Sequence, residues 1–434
     1  MASLGLKSGI GLVVANMVGA GVFLSTGFMA QSLSPSQILL AWLIGGVLAL
    51  CGARAYAEVA RLVPEGGGEY RYLSSLLHPA LGYLAGWASL LVGFSAPTAL
   101  DAMAAGAFAQ AVHPSLEPRL IGALLIIGLT GVHAIGLHFS ARAQNVLVGI
   151  KVALLVGFVV AGVAFGSLSW PTWAPPTPTD APVSEILGSL FFIAFAFSGW
   201  NAAIYAADEF VEPRKTVPRA MLIGCLAVGA LYLVVNFIFV ANLTPAQGTV
   251  VFHYDDFTSL KGQFEQVTLG QAVMASLLGP TAAKVMSAVM LLLFISAMSA
   301  MLLVSPRVYA AMAKDGFLPA FLKAKEGQPP VGAVLLQGAL ALLLLFTHDV
   351  RSVLSNVGAI LVLFAALTVL GLFVARARGK QVAVTALVAA GVYVASAGWM
   401  LFTGFRKTPS LLGWLAAVSA LALVAFFATR KKPN

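Results

Sequence analysis

Two apolar stretches of this 434-residue chain are broken near their middles, and an apolar stretch between them carries a lysine. The first, Leu6–Ala30, is interrupted at Gly19-Ala20-Gly21, the second, Glu185–Val211, around Ser198-Gly199, and the lysine is Lys151. Across Met17–Phe23 small residues allow an unwound turn that bares several backbone N–H groups, and the N-terminus of the half-helix that follows favours negative charge. A carboxylate is a suitable guest. In Phe195-Ala196-Phe197-Ser198-Gly199-Trp200-Asn201 an unwound turn offers free carbonyls, which suit an ammonium. Together the breaks would make a dipolar receptor for an α-amino acid, with Phe195 or Phe197 closing over it and Asn201 hydrogen-bonding its side chain. Two plainer readings compete: small residues also permit close helix packing in a membrane, and buried aromatics commonly serve as core.

The elements that must position these residues are membrane helices. With 60% hydrophobic and 9% charged residues and a mean hydropathy of +0.94, the composition is that of an integral membrane protein. Spans of about 20 residues suit the hydrocarbon layer. Twelve are predicted: Leu6–Ala30, Gln37–Ala60, Pro79–Gln110, Leu120–Gly136, Gln144–Phe165, Glu185–Val211, Pro218–Val240, Thr281–Ala313, Val331–Phe346, Ser352–Ala375, Val382–Phe402 and Leu411–Phe427. Broken helices survive at membrane depth only where protein or a solvated cavity covers the freed backbone, so both interruptions point to a buried site.

The formal charge of +9 raises the possibility of a nucleic-acid binder, but its distribution describes topology instead. Of 25 Lys and Arg residues, 18 fall on loops facing the same side as the N-terminus. Six face the other side (Arg119, Lys261, Lys284, Arg351, Arg406 and Lys407), and Lys151 alone is left in mid-span. The positive-inside bias then puts both termini in the cytoplasm. The stretch before Leu6 leads directly into a span too long for a signal-peptide core, so the first helix is expected to be retained. Cys51 and Cys225 lie within predicted helices and read as packing residues.

The first and sixth spans are both interrupted, and each opens a set of five. Corresponding breaks in two halves point to an inverted repeat with a midplane site, which divides the chain into residues 6–165, 185–375 and a peripheral pair of spans at 382–427. The third and eighth spans are long enough to require tilting. The longest loops, Ser167–Ser184 and Asn242–Pro280, fall outside, and Val267–Leu278 in the second is expected to form a short helix. On the inner side, Pro64-Glu65-Gly66-Gly67-Gly68-Glu69-Tyr70-Arg71-Tyr72-Leu73 should turn sharply, with its aromatics at the membrane interface.

Lys151 lies nine residues beyond Arg142, about 14 Å along a helix. An ionisable residue at that depth is costly and functional by default. Three roles are compatible with it: proton carrier, fixed structural charge, or a side chain snorkelling to the interface. Asp101, in the outer half of the third span, either attracts cationic substrates or bonds a neighbouring helix. Asp208 and Glu209, beside Arg214 and Arg219, make either a cytoplasmic gate or an ordinary interfacial cluster. His78, His113, His133, His138, His253 and His348 are scattered without metal-ligand spacing, and no nucleophile motif is present, which argues against an enzyme. A channel would need a polar pathway that these spans do not supply.

One resemblance is specific. Gly199-Trp200-Asn201 followed by Asp208-Glu209-Phe210-Val211-Glu212-Pro213-Arg214-Lys215-Thr216-Val217-Pro218-Arg219-Ala220 resembles the sixth-span signature of the amino acid–polyamine–organocation superfamily, nearest its L-type amino acid transporter branch and bacterial exchanger relatives. Gly19-Ala20-Gly21-Val22-Phe23 is similar to the first-span break, Pro64 to Leu73 to the first cytoplasmic loop, and Arg307 with Lys314–Pro319 to the end of the eighth span. The resemblance implies an all-α, LeuT-like membrane fold of twelve helices, a 5+5 inverted repeat with discontinuous helices 1 and 6 plus two peripheral helices. It implies secondary transport of amino acids by alternating access, as exchanger or proton-coupled symporter, small or medium neutral ones being expected because both breaks are uncharged; the alternatives are a cationic amino acid or amine transporter, or a non-transporting amino-acid sensor with the same site. Amides of Gly19, Ala20 and Gly21 would bind the carboxylate, carbonyls of Ala196–Ser198 the amine, and Phe195 would be the aromatic gate. Ala20 replaces a hydroxyl residue found in many relatives, so no side-chain bond to the carboxylate is available there. Lys151 would occupy the place of a bound ion, bridging the first span at Gly19 to the eighth at Ser296 or Ser299. No cofactor, metal or nucleic acid is expected. The expected partners are the substrate, the lipid of the plasma membrane and protons, with no obligatory protein partner.

Overall fold

The chain is described by a computed structural model covering residues 4–407 apart from 20, 31, 176, 244–268, 326–327 and 348–349, together with 419, 420, 423, 424 and 426. Ala20, most of the twelfth predicted span and most of the 242–280 loop therefore lie outside the described residues.

Among those residues the architecture is helical, as apolar spans in lipid require when every backbone group must find a partner within the chain. The helices are α1 (Leu6–Met17), α2 (Gly21–Ala30), α3 (Pro35–Leu62), α4 (Gly68–Leu76), α5 (Pro79–Ala88), α6 (Ser95–Val112), α7 (Pro118–Ile135), α8 (Leu137–Phe165), α9 (Pro182–Ala196), α10 (Pro213–Asn242), α11 (Leu269–Leu278), α12 (Pro280–Lys314), α13 (Val331–Thr347), α14 (Val350–Ala377) and α15 (Val384–Lys407). Pro occupies the first turn of α3, α5, α7, α9, α10 and α12, where its missing N–H costs nothing. Eight spans among the described residues are long and apolar enough to cross a membrane. A ninth arises if α1 and α2, bent by 46° at their junction, count as one broken span. The short helix expected near Val267–Leu278 is α11.

The second break is more drastic than a kink. Helix α9 stops at Ala196, a turn follows, and the chain resumes as a 3-10 helix over Ala202–Glu209. Gly199 makes the reversal with φ +101°, a conformation that costs a side-chain-bearing residue strain. Across the gap, the two breaks touch. A Cβ on Gly199 would lie 2.7 Å from the Asn16 backbone, and one on Gly21 would lie 2.4 Å from Cα of Ala196. The glycines thus do both things the sequence allowed: they unwind the helices and let the unwound backbones pack together.

Long-range bonds hold the broken halves. The Ser25 hydroxyl donates to Phe192 O at 3.1 Å, tying α2 to α9. On the N-terminal side Leu4 N donates to Glu209 O at 2.9 Å and Val211 N to Leu4 O at 3.0 Å, so the residues before α1 and after the 3-10 helix form one small β-bridge. Trp42, Phe197 and Tyr232 pack in a buried aromatic triangle with ring centroids 5.1–5.9 Å apart.

One expectation is corrected and two details are added. Tyr70 and Tyr72 are not interfacial: they are buried within the protein, Tyr70 against Phe317 and Tyr72 against Tyr56, because α4 folds back under the helices. Glu209 pairs with Arg307 of α12, at 2.6 and 3.0 Å, rather than with Arg214 or Arg219, and Asp208 accepts the Gly66 amide at 3.1 Å. The third span is one run of helix but carries a π-helical turn at Ser89–Phe94, in which Ser95 Oγ donates to Leu90 O at 2.5 Å.

Replacing Gly199 by alanine should lower the melting temperature of the detergent-solubilised protein through about 1–3 kcal/mol of backbone strain plus the clash with Asn16. Alanine at Gly128, where nothing lies within 4 Å, should be neutral or slightly stabilising. Thermal-shift size-exclusion chromatography of both variants distinguishes a required glycine from an incidental one.

Candidate functional site

A cavity of about 130 Å³ opens where the two breaks meet. Asn16, Met17, Gly19 and Gly21 line it from the first break, and Phe195 to Ala202 from the second. The π-turn brings Gly93, Phe94, Pro97 and Asp101 to a third wall, and α12 adds Ala297 and Met301. Of the residues predicted from sequence, Gly19, Gly21, Phe195, Ala196, Phe197, Ser198 and Asn201 all reach this cavity. Lys151, Ser296 and Ser299 do not line it.

Phe195 is only partly buried at the cavity edge, whereas Phe197 sits 2% exposed in the aromatic triangle. The two aromatics that sequence left equivalent therefore differ in packing: Phe195 is half-buried at the cavity and Phe197 belongs to the buried triangle. Asn201 lines the cavity while its Nδ2 donates to Glu69 Oε1 at 2.6 Å and to the Tyr205 hydroxyl at 3.0 Å.

Lys151 is fully buried. Its ammonium donates to Ala15 O at 2.9 Å and Val18 O at 2.5 Å, two carbonyls at the C-terminal end of α1. The last carbonyls of a helix lack intrahelical partners, and the end carries partial negative charge, so a cation there satisfies both needs. The lysine thus holds the start of the first break. The expected contacts elsewhere are not made: Gly19 receives no bond from it, Ser299 Oγ donates to Gln144 Oε1 at 2.6 Å and lies 2.9 Å from His133 Nε2, and the buried Ser296 Oγ has no hydrogen-bond partner. Among the described residues the bonds made by the ammonium thus end on span one.

Asp101 is buried in the cavity wall, and among the described residues its Oδ2 has no hydrogen-bond partner on a neighbouring helix.

Sequence reading missed two residues that organise the site. Tyr232, buried in the middle of α10, places its hydroxyl 2.7 Å from Met17 O and 3.1 Å from Ala196 O, so one group clasps the carbonyls that precede both breaks. Glu69, in α4, lines the cavity from below. Nothing local marks either: Tyr232 resembles any apolar span residue, and Glu69 resembles a loop acid. Tyr232→Phe keeps the ring packing and removes the clasp, leaving two buried carbonyls to find other donors. A loss of about 1–3 kcal/mol is expected, read as a lowered melting temperature with unchanged elution volume.

Comparison with known proteins bears on this geometry. A family model described as "Amino acid permease" matches residues 4–433. The chain is 28% identical over 387 residues to the large neutral amino acids transporter small subunit 2 of Rattus norvegicus, covering 86% of this chain and 70% of that protein. It is 26% identical over 433 residues to the Asc-type amino acid transporter 1 of Mus musculus, covering 94% and 78%. A third relative, the b(0,+)-type amino acid transporter 1 of Mus musculus, is 25% identical over 390 residues, covering 87% and 76%. With the match spanning almost its whole length, and with apolar membrane-crossing helices around the paired breaks, the chain belongs to the amino acid permease family of the amino acid–polyamine–organocation superfamily.

Proposed function

We propose that this protein is a secondary transporter that moves amino acids across the cell membrane by alternating access, either as an exchanger or as a proton-coupled symporter. In this reading twelve spans form two inverted sets of five, residues 6–165 and 185–375, with 382–427 peripheral and both termini cytoplasmic. The two broken helices rock against a scaffold of the third, fourth, eighth and ninth spans. The observation that carries the proposal is the meeting of both breaks at one enclosed cavity.

A zwitterion fits such a place because backbone dipoles of opposite sense flank it. Amides at 19–21 take the carboxylate, carbonyls in the 196–198 stretch take the amine, and Phe195 closes over the guest. Lys151 acts as the resident cation that keeps the end of α1 in place, which makes a sodium ion unnecessary at that position. The cavity is similar in size to an engineered one of about 150 Å³ that accepts benzene, which supports a small or medium side chain. Neutral substrates also accord with the rat relative's printed name. That name calls the relative a small subunit, so the expectation that no protein partner is needed gains no support from it.

Asp101 favours a second reading. A buried carboxylate on the cavity wall, one of whose oxygens has no hydrogen-bond partner, suits a substrate with a cationic side chain.

Reconstituted into liposomes preloaded with unlabelled substrate, the protein should accumulate a labelled neutral amino acid faster than from unloaded vesicles. No flux for any of the twenty amino acids would reject transport and leave an amino-acid sensor. Should cationic amino acids be the ones carried, Asp101→Asn should abolish their flux selectively. Lys151→Ala should abolish transport of every substrate and lower thermal stability, since two buried carbonyls lose their donor. A variant that keeps exchange and loses only its response to a pH gradient would instead make the lysine a proton carrier.

A further inference from the structure

Beneath the cavity, on the side carrying the N-terminus, Glu69 is a buried carboxylate held entirely by neutral groups. Tyr56 of α3 donates its hydroxyl to Oε1 at 3.1 Å, Asn201 donates Nδ2 to Oε1 at 2.6 Å, and Tyr205 donates its hydroxyl to Oε2 at 2.7 Å. Tyr72 of α4 packs on Tyr56, and Tyr393 of α15 lines the main cavity with Glu69, both neutral phenols. Nearby charges are committed elsewhere: Arg71 pairs with Glu65 and Asp315, Arg307 with Glu209, and Asp208 with the Gly66 amide. Among the described residues no cation forms an ion pair with Glu69.

Its position joins two bodies that alternating access must separate. Glu69 itself stands on α4, which runs directly into the third span of the scaffold and packs on it, while Asn201 and Tyr205 belong to the far half of the broken sixth span. Gly67 N also donates to Tyr205 O at 3.4 Å, so the loop grips that half through backbone as well as side chain. Phe94, on the π-turn, packs on the Tyr205 ring at 5.1 Å. Glu69 and Tyr205 line both the main cavity and a smaller one beside Ser89, Gly93 and Phe94, so the carboxyl has a route to the substrate compartment.

From this arrangement we propose that Glu69 is a proton-binding site of the transport cycle: it holds a proton while the inner pathway is shut and releases it to the cytoplasm when the far half of the sixth span withdraws and water reaches it. The proposal rests on the transport reading above. In balance, the carboxylate gains a proton arriving through the cavity, becomes a carboxylic acid, and returns to carboxylate as that proton leaves on the other side. The surroundings accommodate either form, because the Tyr205 and Tyr56 hydroxyls can donate to a carboxylate or accept from a carboxylic acid.

The sign follows from burial. Desolvation raises the Glu69 pKa above the ordinary carboxylate value, against the lowering by its bonds from Tyr205, Tyr56 and Asn201. A group whose pKa is raised in the shut state binds its proton more tightly there than in the hydrated state. Protonation therefore favours the shut form, and opening to the cytoplasm expels the proton. An inward proton gradient, acidic outside, drives net uptake.

The test uses the full chain in proteoliposomes. Wild-type protein should take up labelled substrate faster with the outside acidified than without a gradient. Glu69→Gln, which keeps the shape and has no proton to release, should lose that stimulation while still exchanging labelled for unlabelled substrate. Tyr205→Phe removes a bond that lowers the pKa, so its response should shift to higher pH. A Glu69→Gln protein that answers the gradient like wild type, or a wild type that exchanges but ignores the gradient, overturns the inference and leaves the transport reading intact. Failure of all exchange rejects the transport reading instead. In that case infrared titration still decides the site: a protonated-carboxyl band that titrates above the usual carboxylate range in wild type and is missing from Glu69→Gln supports the site, and its absence from wild type rejects it.

Discussion

At the centre of the molecule two stretches of backbone run against each other with no side chain between them. Gly21 abuts Ala196 and Gly199 abuts Asn16, each so closely that one added carbon would collide with main chain. That contact constrains the rest. Backbone freed from helical bonding is intolerable in lipid unless covered, and here each break is covered by the other, with the Tyr232 hydroxyl shared between the carbonyls that lead into them. Because the interruptions are stabilised by one another, they stay side by side. The remaining unfilled space between them is the cavity.

Charge is used sparingly around this centre, and each buried charge has a distinct supporting environment. Lys151 is held by carbonyls at the end of a helix, a place where the peptide dipoles already favour a cation. Glu69 is held by hydroxyl and amide donors from three segments. Asp101 has an oxygen with no hydrogen-bond partner. A carboxylate surrounded by movable neutral donors is easily tipped between protonation states, while an ammonium seated on fixed carbonyls is not. That difference separates a group suited to cycling from one suited to holding a helix end.

The segments beyond the breaks are linked on the N-terminal side. Leu4 pairs with the backbone of Glu209 and Val211, and Arg307 clasps the Glu209 carboxylate. The inner ends of the first and sixth spans therefore belong to one mechanical unit that also touches α12.

Much of this was legible in the residues. Apolar runs located the eight helices long enough to cross a membrane, small residues located both breaks, and the isolation of Lys151 marked a buried charge. Family membership followed from the motif around Gly199–Ala220 and was carried by the match over residues 4–433. Contacts across the fold were not legible. Tyr70 and Tyr72 read as interfacial because nothing local says that α4 tucks beneath the helices. Glu209 read as a partner of nearby arginines, yet it meets Arg307 almost a hundred positions away. Ser296 and Ser299 read as partners of Lys151 but face other groups or none. Periodicity and composition determine what each segment must do in lipid, since the cost of unpaired backbone and exposed charge is local. Which side chains then satisfy those freed groups depends on which segments meet, and only three-dimensional packing chose Tyr232, Glu69 and the two α1 carbonyls for those tasks.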